Sequence, residues 1–122
     1  MAEATTYTGG CHCGAVKYRV TTKLDTVVTC NCSICSKTGT LLVFAPVGQF
    51  ELLTGPGALT DYQFGKKRVH HFFCNRCGIR SFSRGTAPSG AEMVALNVRC
   101  LEGVDVGALA LRPFDGRSLP ID

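Results

Sequence analysis

Seven of the eight cysteines in this 122-residue chain fall into three tight groups, Cys11-His12-Cys13, Cys30-Asn31-Cys32-Ser33-Ile34-Cys35 and Cys74-Asn75-Arg76-Cys77, while Cys100 stands alone. This spacing restricts the fold more than any other feature, because each group can bring two or three sulfurs to one point and so tie distant stretches together. In an extended chain residues i and i+2 point to the same side, which lets Cys11 and Cys13 face one ion. Cys74 and Cys77 form a CxxC turn followed by Gly78, and a glycine there allows backbone N–H groups to face the sulfurs. Each pair flanks a predicted strand. Together Cys11, Cys13, Cys74 and Cys77 make a closed, four-sulfur structural zinc site. Iron is chemically compatible with four cysteines, but zinc is the commoner occupant.

The middle group offers only Cys30, Cys32 and Cys35, one ligand short of a tetrahedral zinc. Either a protein group completes the set or the position stays open to water or substrate, as catalytic zinc requires. Cys100, His70, His71 and His12 are available, yet none has a knuckle spacing to the group. A lone histidine on a strand, or a cysteine in an apolar one, is more often a packing residue than a ligand. An open second site is therefore the expectation, giving two Zn2+ per chain with Cys30, Cys32 and Cys35 as the catalytic set.

Metal rather than disulfide chemistry presumes a reducing compartment. The opening MAEATTYTGG has neither a basic nor an apolar signal region, so a cytoplasmic setting is expected, where thiols stay reduced. The longest apolar run, residues 41–46, is far below the roughly 20 residues that cross a bilayer, and no membrane partner is expected. The formal charge is +4. Seven thiolates on two divalent ions would take away three charges, so the apparent basicity balances the clusters. A nucleic-acid partner loses its main support.

The length suits a single zinc domain over residues 1–122. With no Trp and 8% aromatic residues it has few large side chains for a core, so a metal staple is welcome. Residues 14–20, GAVKYRV, set Val16, Tyr18 and Val20 on one face against Lys17 and Arg19 on the other, a strand period. Residues 26–30, 41–45, 49–54, 58–64, 69–74, 79–83 and 93–101 are also strand-like. Turn residues at 36–39, 46–48, 55–57, 65–67 and 85–90 separate them. The one short helix expected is 103–109, weakened by Gly107. The class is mainly β, built of short antiparallel strands stapled by zinc.

The motifs GGCHCGAVKY at 9–18, CNCSICSKTG at 30–39 and FFCNRCGIRSF at 72–82 resemble the glutathione-dependent formaldehyde-activating enzyme family, which includes centromere protein V. Phe50, Gly55, Leu59 and Tyr62 fit the pattern between them, and residues 103–122 follow no part of it. The resemblance implies a β-tent fold, a structural zinc at Cys11, Cys13, Cys74 and Cys77, and a second zinc at Cys30, Cys32 and Cys35. It also implies formation of S-hydroxymethylglutathione from formaldehyde and glutathione, a carbon–sulfur lyase reaction in reverse. Three thiolates make a zinc a weak activator of water but a good host for an incoming thiol, whose pKa it would lower. The expected partner is accordingly a small thiol of the glutathione type, with Lys37, Lys66, Lys67 and Arg68 available for its carboxylates. The rival class is a non-catalytic, zinc-stapled protein-binding or chaperone-like module.

Overall fold

The structure, a computed structural model, describes residues 4–118 except Gly55 and Lys66. Ten short strands and one α-helical turn, besides short 3-10 turns, are present among the described residues: β1 Thr5–Gly10, β2 Lys17–Thr22, β3 Val27–Cys30, α1 Cys35–Thr38, β4 Leu41–Pro46, β5 Phe50–Leu52, β6 Leu59–Tyr62, β7 Val69–Cys74, β8 Phe82–Thr86, β9 Glu92–Asn97 and β10 Leu111–Phe114. They form a three-stranded sheet, β1-β2-β5, and a seven-stranded sheet, β10-β3-β4-β9-β8-β7-β6. No helix among the described residues is long and apolar enough to cross a membrane.

The alternation read in residues 14–20 is that of β2, whose Tyr18 and Val20 are fully buried between the sheets. They meet Val43 and Ala45 of β4 and Val94 and Leu96 of β9 in one apolar cluster. Tyr18, Phe50 and Phe82 pack there in tilted and edge-on pairs with centroids 4.8 to 5.7 Å apart, so three rings carry the work that a tryptophan-free chain must distribute.

Several elements depart from the sequence expectation. The strand expected to 101 ends at Asn97, whose side chain accepts from Arg99 N and starts a 3-10 turn, Val98–Cys100. Strand structure expected from 79 begins only at Phe82, because residues 78–81 run as irregular chain out of the CxxC turn, with Ile79 O taken by Cys74 N. In place of a helix at 103–109 there is a single 3-10 turn, Val106–Ala108, capped by Asp105. The sheets are also not wholly antiparallel. Strand β10 runs parallel to β3, pairing Leu111 with Val27 through Phe114 with Cys30. Its Pro113 is tolerated because β10 is an edge strand, where a missing N–H leaves no ladder partner unpaired.

Candidate metal centres

Cys11 follows β1, Cys13 lies in the β1–β2 loop, Cys74 closes β7 and Cys77 follows it after one turn. Their sulfurs meet: Cys11 and Cys13 are 3.7 Å apart, Cys13 and Cys74 3.6 Å, and all four lie within 4.8 Å of one another. A sulfur tetrahedron about 2.3 Å from a central zinc has edges of about 3.8 Å. A disulfide would be about 2.05 Å. The observed separations fit a shared ion, and the donor set suits zinc. Backbone N–H groups of Val16, Arg76 and Cys77 point at the sulfurs from 3.3 to 3.4 Å. Gly78 sits at φ +80°, which lets its N–H close the turn on Cys74 O at 2.9 Å.

The electrostatics of this group anticipate a cation. The backbone N–H groups of Ile79 and Cys13 draw the Cys77 thiol down to about 6. Cys13, although the Ala15 N–H favours its thiolate, is pushed up to about 11 by desolvation and by hydrogen bonding with the thiols of Cys74, Cys11 and Cys77. One sulfur ionises readily and then opposes its neighbours. A divalent ion removes that repulsion.

Cys30 ends β3, Cys32 follows in the loop and Cys35 opens α1, which Gly39 terminates at φ +68°. The three sulfurs lie within 4.8 Å of one another, and no other His, Cys, Asp or Glu among the described residues joins them. The Cys35 N–H points at Cys32 Sγ from 3.5 Å. Burial opposes ionisation of Cys32 but is outweighed by this N–H and by the Cys35 and Cys30 thiols, so its pKa is lowered. Burial and the neighbouring Cys32 push Cys35 up to about 11.

The four residues weighed as a further ligand lie elsewhere. Cys100 faces Arg80 O at 3.9 Å, and the thiols that act on it are Cys11 and Cys77, those of the other group. His70 is paired with Asp61 at 2.7 Å. His12 sits between two cysteines of the four-sulfur group without joining it. His71 is outside the three-sulfur group but lines the same cleft.

That cleft, about 350 Å³, runs from Cys30, Cys32 and Cys35 across the outer face of the large sheet. Alternation explains it. On β4, Leu41, Val43 and Ala45 enter the main core, whereas Leu42 and Phe44 face the cleft; on β9, Val94 and Leu96 go inward while Met93 and Ala95 face out. A solvated sheet face is normally polar. Here it is apolar, broken by a polar pair, Arg80 and His71, of which the sequence pointed only to His71. Arg80 Nη2 donates to His71 Nδ1 at 2.9 Å, which places the imidazole proton on Nε2. His71 Nε2 and Arg80 Nε are buried without partners. Burial, then the Arg80 charge, brings His71 down to about 4, so its ring is neutral at physiological pH. Lys37, Lys67 and Arg68 do not line the cleft. Lys66 lies outside the described residues, as does Gly55.

The chain after β10 supports the three-sulfur loop. Asn31 Nδ2 donates to Asp115 Oδ1 and Asn31 Oδ1 accepts from Arg117 N, both at 2.9 Å. Gly116 packs so closely that a Cβ there would stand 2.6 Å from Cys30 Sγ. Nothing in residues 111–117 signals this from sequence, since the contact spans more than eighty positions.

A family model described as glutathione-dependent formaldehyde-activating enzyme matches residues 6–112, so residues 103–112, which were expected to lie outside the pattern, belong to it. The chain belongs to this family. All seven clustered cysteines fall inside the matched span, whereas Asp115, Gly116 and Arg117 lie beyond it. The chain is also similar to a solved structure. A Rhodobacter sphaeroides protein, determined by crystallography as a structural-genomics target, is 34% identical with a TM-score of 0.78. The match covers 87% of this chain and 97% of that one.

Proposed function

We propose that this protein is a zinc-dependent enzyme of carbon–sulfur chemistry that joins a glutathione-type thiol to a small aldehyde such as formaldehyde, or separates the two. The observation that carries this reading is a three-sulfur group, lacking a fourth protein ligand among the described residues, at the end of a cleft. Cys30, Cys32 and Cys35 would hold the ion, and zinc so held supplies a soft open position that lowers the pKa of an incoming thiol. Cys11, Cys13, Cys74 and Cys77 would hold the structural ion.

In the forward direction the thiol sulfur bonds to the carbonyl carbon, the C=O π pair moves to oxygen, and the proton released by the thiol ends on that oxygen. No oxidant or reductant is needed. The chain contributes mainly proximity, because the cleft confines both reactants beside the cysteines. Arg80, which lines the cleft beside the neutral His71, gives the wall a positive charge suited to favour the oxygen as negative charge develops on it.

Cobalt substitution tests the reading. Glutathione should change the ligand-field absorption of the metal at Cys30, Cys32 and Cys35 and leave the four-cysteine metal silent. Cys32→Ser should abolish the response with the fold intact. If neither glutathione nor a simple thiol moves the spectrum, the protein-binding module takes its place.

A further inference from the structure

We infer that the aldehyde partner carries an apolar substituent of several carbons, which lies along the outer face of the large sheet; this rests on the carbon–sulfur reading above. Formaldehyde has nothing with which to fill the cleft. From the cysteines outward the wall is Val28, Ile34, Leu42, Phe44, Met93 and Phe114. Phe44 and Phe114 are each 47% exposed, an unusual cost for two phenyl rings lining one concavity. A volume of about 350 Å³ is in the range of small-molecule sites.

The thiol's own arms fit this wall poorly. Glutathione carries two carboxylates and an ammonium, while the cleft's cationic group is Arg80, already engaged with His71 Nδ1 and within 3.4 Å of the Thr38 and Thr40 hydroxyls. Charged arms are better left in water. An alkyl or aryl group on the aldehyde carbon instead sits beside the sulfur, where Leu42, Met93 and Phe114 can cover it. The polar spot then falls to the oxygen and the apolar face to the substituent, so one wall sorts the two ends of the molecule.

The test uses zinc-loaded protein saturated with glutathione and titrated with formaldehyde, propanal, butanal and pentanal. Binding is followed by the methyl resonances of Val28, Leu42, Met93 and Ala95 and corrected for adduct formed in free solution. The apparent dissociation constant should fall about two- to fourfold per added methylene, the gain from burying that group. Phe114→Ser should flatten the series. A flat series in the wild type, or tightest binding with formaldehyde, overturns the inference while the cobalt response to glutathione keeps the thiol reading alive. A silent cobalt spectrum removes both. Sedimentation showing self-association that Phe44→Ser abolishes would also overturn it, since a second copy of the chain would then cover the face.

Discussion

The two cysteine groups differ less in chemistry than in what they join. The four-sulfur group links Cys13 to Cys74, 61 residues apart, and so fastens the small sheet to the large one. The three-sulfur group gathers its sulfurs from a six-residue stretch and closes no long loop. An ion in the first stabilises the folded chain directly, because the ordered ligand set does not exist in the unfolded one. On the proposed reading, an ion in the second would add reactivity to a surface that the rest of the fold already shapes.

The sharpest way to break this comparison is to remove one sulfur from each group. Cys74→Ser should cost on the order of 5 kcal/mol or more and leave a largely unfolded chain, as read by circular dichroism and metal content. Cys32→Ser should keep the fold and lose only about one metal ion per chain. Equal damage from both changes would erase the distinction.

A smaller effect is expected at Gly116. A valine there must push against Cys30 Sγ and Cys32 Cβ, which an added Cβ would meet at 2.6 and 3.2 Å. Affinity for the second metal should fall about 10- to 100-fold, the usual range for disturbing a ligand's support. The four-cysteine metal should be unaffected in the same chelator competition. Loss of both ions together would show that the chain after β10 supports the whole fold rather than one loop.

How much of this was legible beforehand follows from the range of each interaction. The cysteine groups, the alternation of β2 and the strand-like runs of β4 and β7 are local patterns, and the strands appear where those patterns run. Strand β1 was missed because its TTYTGG carries little apolar alternation, and β10 because LRPF is short and contains proline. What makes β10 a strand is a parallel neighbour more than eighty residues earlier, which no window of sequence reveals. The cleft was half visible. Residues 41–46 are apolar on both faces, a sign that the outward side of β4 needs cover, but the cover depends on β9, β3 and β10. Arg80 and His71 were hidden as a pair because their partnership is set by a turn and a strand crossing.

The smallest effect sharpens the picture of the open side. His71 is held near 4 in the fold and has an ordinary value of 6.5. As pH falls the unfolded chain takes up that proton first, so the stability due to neutral His71 is complete above about 6.5 and drains away toward 4. In metal-saturated protein His71→Phe should therefore lose about 1 kcal/mol less than the wild type between pH 7 and pH 5, measured by urea unfolding, with the solvent-screened part of the shift discounted. Identical slopes would mean that the ring is not held neutral by burial and Arg80.

The parallel pairing of β10 with β3 has a consequence for the order in which a ribosome completes the molecule. Every sulfur of the four-cysteine group has been synthesised by residue 77, but the contacts that brace Cys30 arrive only with residues 114–117. A nascent chain can thus acquire its staple while the second loop, made earlier, still waits for its last support. Metal loading during translation would be staged against the order of the cysteines themselves. A product cut short near residue 110 would carry all four staple cysteines and lack the Phe114 wall of the cleft.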